Sequence, residues 1–279
     1  MNKFLTRIGI AAALTVVTMA SSAKANAAAV LDHVLATKTL KVAVGTDWGP
    51  MSSLNDKHEL DGYDVEVAKG IANYLGVQAE FITPGWDLIA AGKWEGRWDI
   101  GMGQMLPTKE RAERFDFPAT YFYEQAVGVL HKNSKATKPS DLNGKVVGVA
   151  AGTSSESYAN QTLTPNWVGA QPIQYLFKAG QIKTYQSSNI ALDDLRLGDG
   201  VRIDAIVVDR TIADNAIKNG YPVKVLSDPL FSAPGAIAII RGDKEFSDKI
   251  AAAITQMRDN GTLSKLSIKW YGTDHTVQK

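Results

Sequence analysis

The chain has no cysteine among its 279 residues. Disulfides, thiolate nucleophiles and cysteine-ligated metals are therefore excluded. Histidine is scarce. His33, His58, His131 and His275 are scattered, none sits on a catalytic motif, and each reads as a surface residue. There is no Gly-x-Ser-x-Gly elbow, no His-Glu-x-x-His zinc motif and no Gly-x-x-x-x-Gly-Lys phosphate loop. Neither a metal site nor a cofactor is expected. No charge of one sign dominates, since 30 Lys and Arg stand against 29 Asp and Glu. That balance does not suggest a nucleic-acid partner, which draws a basic excess. No internal repeat or low-complexity segment stands out.

Long apolar runs are also missing, with one exception at the start. Lys3 and Arg7 precede an apolar run from Ile8 to Ala20, and Ala23-Lys24-Ala25 and Ala25-Asn26-Ala27 follow it. This is the layout of a cleavable secretory signal covering residues 1–27. The run is shorter than the about 20 residues needed to span a bilayer. Without Lys3, Arg7 and Lys24 the remainder carries 27 basic and 29 acidic residues, a net charge of −2. An exported chain without disulfides must rely on hydrophobic burial, and this length supports one core or two smaller lobes.

What is present is an alternation of short apolar runs with helical periodicity. Strands are expected at Leu40–Gly45, Ala79–Ile82, Ile100–Gly103 and Val127–Leu130, and again at Val146–Val149, Ala205–Val208, Val223–Leu226 and Ala236–Ile240. Helices are expected at Gly62–Leu75, Ser154–Leu163, Ser187–Leu197, Arg210–Asn219, Glu245–Asp259 and Leu263–Trp270, with Asn260-Gly261 as a stop signal between the last two. Strands alternating with helices imply α/β lobes with mostly parallel sheets. Two polar seams, His131–Asn143 and Ser227–Gly235, flank a middle block. They suggest a first lobe from 28–130 and 236–279 and an inserted second lobe from 131–235. A chain that crosses twice between lobes makes a hinge, and clefts between lobes are preferred ligand sites.

Several fragments in order carry a resemblance: Val44-Gly45-Thr46-Asp47; Leu60-Asp61-Gly62-Tyr63-Asp64-Val65; Trp98-Asp99-Ile100; Thr108-Lys109-Glu110-Arg111; Phe115-Asp116-Phe117 with Tyr121; Leu142-Asn143-Gly144-Lys145-Val146-Val147-Gly148-Val149 with Gly152-Thr153 and Glu156; Ile203-Asp204-Ala205 with Asp209; and Lys269-Trp270-Tyr271-Gly272. Across the whole mature chain it resembles the solute-binding proteins of polar amino-acid ABC transporters, the group that binds glutamine, histidine and lysine/arginine/ornithine. The resemblance implies an α/β, two-lobed type II periplasmic binding protein with its ligand in the interlobe cleft. It implies a monomer in the periplasm that captures an amino acid or derivative and delivers it to a membrane permease. A cyclohexadienyl dehydratase on the same fold, or a sensor docking on a receptor, is the alternative.

The residues alone leave several roles open. Arg111 has the planar fork for a carboxylate, yet it also reads as a solvated arginine in the charged run 109–114. Asp209 ends a buried strand, where ligands bind in open sheets, yet aspartate is also a common helix cap. The resemblance implies that Arg111 takes the ligand α-carboxylate and Asp209 the α-ammonium. It implies aromatic walls at Trp48 and Trp86, against the alternative of core packing, and a distal-group contact at Asp47, against a turn cap. Gly103, Gln104, Thr153 and Ser154 fall where relatives offer backbone or hydroxyl contacts, and Thr108 reads as a helix N-cap. The chain also departs from the pattern. Leu106 replaces a hydroxyl residue, the Trp48-Gly49-Pro50-Met51 loop looks short, and the stretch 163–185, with Trp167, Tyr175 and Phe177, looks long. These departures point toward an unusual ligand such as a conjugate or modified amino acid.

Overall fold

The computed structural model describes residues 29–226 and 228–278. The secretory signal read in residues 1–27, and residue 227 of the second seam, lie outside the described residues. The strands are β1 (Thr39–Ala43), β2 (Ser53–Leu54), β3 (Leu60–Asp61), β4 (Gln78–Ile82), β5 (Ile100–Met105), β6 (Phe115–Asp116), β7 (Thr120–His131), β8 (Val146–Ala150), β9 (Gln181–Tyr185), β10 (Ala205–Asp209), β11 (Val223–Val225) and β12 (Phe231–Ile240). The helices are α1 (Ala29–Thr37), α2 (Tyr63–Leu75), α3 (Trp86–Ala91), α4 (Ser154–Ala159), α5 (Ser188–Leu195), α6 (Arg210–Lys218), α7 (Lys244–Asp259) and α8 (Thr262–Tyr271).

The expected α/β elements are present, and the sheet refines the expectation of parallel pairing. Its order is β4-β1-β5-β12-β7-β10-β8-β9. The wings β4-β1-β5 and β10-β8-β9 are parallel. The centre is antiparallel through β5-β12, β12-β7 and β7-β10. The middle strands are longer than the sequence suggests. β7 begins at Thr120 rather than Val127, and β12 begins at Phe231, so half of the expected second seam is strand. Pro234 is tolerated there beside a register shift at Gly235 and Ala236.

Each wing has its own core. Leu40, Val42, Ile71, Ile100, Phe246 and Ile250 pack on one side of the sheet's first half. Val147, Val149, Tyr158, Phe177 and Ala205 form one cluster of the second half, and Val129, Leu192, Leu195 and Ile206 another. These are two lobes joined by the long central strands.

Local chemistry sets the element ends. α2 stops at Gly76, which takes φ 69° while its amide and that of Val77 close onto Asn73 and Ala72 carbonyls. The expected helix from Ser154 ends early, at Ala159, because Gln161 adopts φ 58°. Gly261, at φ 75°, separates α7 from α8 where the stop signal is read. Two histidines differ from expectation. His131 is buried at the end of β7, beside Val223 of β11. His275 is half-buried, its ring parallel to Phe122 with centroids 4.8 Å apart. His275 is drawn inward because an imidazole face packs on an aromatic ring, and His131 is covered by its place in the β7–β11 pairing, with Nδ1 accepting from the Asn133 amide at 3.3 Å.

Candidate functional site

A cavity of about 500 Å³ opens between the lobes. All nine residues singled out in the sequence (Asp47, Trp48, Trp86, Gly103, Gln104, Arg111, Thr153, Ser154 and Asp209) line it.

The aromatic wall is built on glycine. A Cβ at Gly45 would lie 2.1 Å from the Trp48 ring, and one at Gly103 would lie 2.7 Å from Trp86 and 2.9 Å from Trp48. Only bare backbone lets the indoles lie this close. Trp48 and Trp86 meet edge to face, centroids 5.7 Å apart at 78°, the arrangement ring quadrupoles favour. Gly103 sits at φ 108°, and its amide donates to Asp64 Oδ2 at 2.7 Å. Asp64 is fully buried and also accepts from Tyr121 Oη at 2.9 Å. Burial pushes its carboxyl up to about 7, against the opposing hydrogen bonds. The Asp64 side chain thus fixes the floor on which the tryptophans rest. Gln104 follows at φ 53°, donating its amide to Tyr121 Oη and its Nε2 to Tyr271 Oη.

Arg111 is not a surface arginine; it is 6% exposed. Its amide donates to Thr108 Oγ1 at 3.2 Å, so the threonine does cap this turn. Nη1 donates to the Leu106 carbonyl at 2.9 Å and Nη2 to the Gly152 carbonyl at 2.8 Å. Leu106 therefore contributes through its backbone what its side chain cannot. These bonds hold the guanidinium plane while leaving further N–H groups to face the cavity. Burial lowers its pKa to about 10, with the charges of Glu110 and Asp209 opposing, so it stays cationic at neutral pH.

Asp209 is the last residue of β10 and stands at the N-cap position of α6, yet its side chain makes no cap hydrogen bond. The capping alternative therefore does not hold, and the carboxylate is left to the cavity. Burial raises its pKa and Arg111 opposes the rise. Thr153 does cap α4: its hydroxyl accepts from the Glu156 amide at 3.2 Å and donates to the Ala150 carbonyl at 2.7 Å. Asp47 is exposed and tied across the cleft, since Asn189 Nδ2 donates to its carbonyl at 2.7 Å and to Oδ2 at 3.1 Å.

Sequence reading missed other lining residues, notably Glu124, Gln186, Ser187, Ser188, Asn189 and Phe231. Ser187 carries a signal, because it caps α5 by accepting from the Ile190 amide. The long 163–185 stretch differs from expectation in the other direction. Among the described residues none of it lines the cavity. Phe177 is buried in the second lobe and Tyr175 packs on Tyr158. Its start bridges to the segment before Arg111, through Lys109 N to Thr164 O at 3.0 Å and Asn166 N to Pro107 O at 3.1 Å. It braces the Arg111 turn instead of touching the ligand space.

Trp86 has a second task. Its Nε1 donates to the Gly152 carbonyl at 3.1 Å, linking the lobes. Trp86→Phe keeps a ring but removes this donor. The expected result is a loss of about 1 kcal/mol in ligand binding, read as a roughly fivefold weaker dissociation constant by calorimetry; an unchanged constant would mean that the link does not support the closed cleft.

Two α/β lobes joined by continuous strands, with a polar and aromatic cavity between them, define a hinged-cleft binding protein of the type II periplasmic class. The chain belongs to the bacterial extracellular solute-binding proteins, family 3, whose profile matches residues 40–273. It is similar to the L-cystine-binding protein TcyJ of Escherichia coli K12, 30% identical over 241 residues, which cover 85% of this chain and 84% of that one. It is also similar to a probable amino-acid ABC transporter-binding protein of Haemophilus influenzae, 28% identical over 92% of this chain and 94% of that one. Among solved structures, the ancestral amino acid-binding protein AncCDT-1, a precursor of cyclohexadienyl dehydratase, matches with TM-score 0.74 and 31% identity, covering 86% of this chain and 99% of the other.

Proposed function

We propose that this protein binds an amino acid or amino-acid derivative in the interlobe cleft and hands it to the membrane permease of an ABC importer. One observation carries the ligand class. A buried guanidinium, Arg111, and a carboxylate free of capping duty, Asp209, face one cavity with Trp48 and Trp86 beside them. A zwitterion has the complementary pair of charges, and its side chain lies against the indoles. In this reading Arg111 takes the α-carboxylate, Asp209 the α-ammonium, and Asp47 the distal group. Gly103, Gln104, Thr153 and Ser154 supply backbone and hydroxyl contacts.

The lobes are residues 28–130 with 236–279, and 131–235. They close about the two crossing strands as the ligand bridges them. The protein acts as a binder, not an enzyme; the similar precursor of a dehydratase is itself an amino acid-binding protein. It works as a monomer in the periplasm, exported by its first 27 residues.

A thermal-shift screen of the mature protein against the proteinogenic L-amino acids, L-cystine and a set of modified and conjugated amino acids tests this. A ligand at 100 times its dissociation constant stabilises by about 2.7 kcal/mol, a rise of roughly 5–10 °C for a chain of this size. If neither an amino acid nor a derivative shifts the transition, the ligand class is wrong.

A further inference from the structure

Glu124 is a charged lining residue for which the roles above have no use. It lies on β7, two residues before Ala126, and Ala126 stands opposite Asp209 of β10. Residues two apart on a strand share a face, and diagonal cross-strand neighbours are within reach of long side chains. Glu124, Ala126 and Asp209 all line the cavity. The Glu124 carboxylate is held in place, with Oε2 accepting from Thr211 Oγ1 at 2.7 Å and Oε1 from the Gln125 amide at 2.8 Å. Thr211 stands two residues beyond Asp209 in the first turn of α6, so the segment that follows β10 holds the Glu124 carboxylate.

We infer that Glu124 completes the ammonium subsite, forming with Asp209 a carboxylate pair that holds one proton in the ligand-free protein and releases it when a ligand ammonium docks. This rests on the reading of the cleft as an amino-acid site. The groups facing the pair are Arg111 from the turn after β5, Thr211 from α6 and Tyr271 from α8. Arg111 is the cation among them, and the ligand carboxylate engages it. Two like charges on one cavity wall cannot both ionise cheaply. Burial raises Glu124, and the Asp209 charge raises it further. An arriving ammonium reverses that balance. The carboxylic O–H bond breaks, the proton passes to bulk buffer, and the ammonium donates to both carboxylates. The subsite thereby selects an amine over a hydroxyl, because a neutral hydroxyl leaves the shared proton where it is.

The sign of the pH dependence follows. The bound state prefers the deprotonated pair, so affinity rises with pH by up to about tenfold per unit while the pair still holds its proton, and falls again once the ligand ammonium itself deprotonates.

Two measurements test the pair. Carbon-13 NMR of carboxyl-labelled, ligand-free protein reads it without any ligand. The expected result is that one Glu resonance titrates well above the other glutamates, disappears in Glu124→Gln, and that the Asp209 titration moves down in that variant. A Glu124 carboxyl titrating in the ordinary range overturns the inference, whether or not any amino acid binds. Calorimetry at pH 7 in two buffers of different ionisation enthalpy then counts protons, using the amino acid that stabilises most in the screen and its 2-hydroxy analogue. The expected release is between half a proton and one for the amino acid, and near zero for the hydroxy acid and for Glu124→Gln. Equal counts in the parent and Glu124→Gln contradict the inference.

Discussion

Arg111→Ala is expected to weaken amino-acid binding by about 2–5 kcal/mol, the usual cost of leaving a desolvated charge unpaired. Calorimetry would read this as a dissociation constant raised roughly thirtyfold to several thousandfold. Arg111→Lys is expected to fall between parent and alanine variant, because a point-like ammonium cannot reproduce the bidentate fork. The guanidinium also satisfies the carbonyls of Leu106 and Gly152. Its removal is therefore expected to lower stability as well, by about 1–3 kcal/mol. Circular dichroism and a melting curve separate the two losses, since a folded variant that binds like the parent would remove Arg111 from the carboxylate site. Asp209→Asn is the companion. Loss in the Arg111 variants but not in Asp209→Asn would point to an acid that lacks the amino group.

Gly103→Ala is expected to damage the cleft from beneath. The residue is at φ 108°, where a side chain is strained, at a cost of about 1–3 kcal/mol. The new methyl would also stand 2.7 Å from Trp86 and 2.9 Å from Trp48. Neither ring yields easily, since Trp86 is fastened to Gly152 and Trp48 rests on Gly45. Both indoles must shift, so affinity is expected to drop by at least about tenfold, or about 1.4 kcal/mol. Tryptophan fluorescence of the ligand-free variant is expected to change, because the environment of both rings changes. Parental fluorescence together with parental affinity would show that the rings are not seated on this glycine.

Arg111 and Asp209 were singled out through the resemblance, since the residues alone left Arg111 open to a solvated surface role and Asp209 to a helix cap, although each sits at a recognisable place. Asp209 ends an apolar run, and Arg111 stands three residues after a threonine that caps its turn. The two tryptophans follow strand ends in the same way. Glu124 was not legible. Its strand was read from Val127 onward, because Tyr121, Phe122, Tyr123 and Glu124 do not alternate apolar with polar. Extending that strand back to Thr120 would have placed Glu124 on the face of Ala126. β9 was missed for a related reason: Gln181–Tyr185 is mostly polar, as an edge strand often is, and its pairing with β8 is non-local. The glycine floor under Trp48 and Trp86 depends on contacts between residues 45, 103, 48 and 86, which no local pattern records. The long 163–185 stretch invited a ligand role because of its aromatics. Those rings close the core of the second lobe, which is a packing requirement that composition alone does not separate from recognition.

The central claim is that Arg111 and Asp209 grip the two ends of a zwitterion. A crystal structure of the protein grown with the amino acid that stabilises it most tests this directly. The expected result is a closed cleft with the ligand carboxylate on the Arg111 guanidinium at about 2.7–2.9 Å and its ammonium on Asp209. A ligand whose carboxylate lies away from Arg111, or whose ammonium lies away from Asp209, would contradict it.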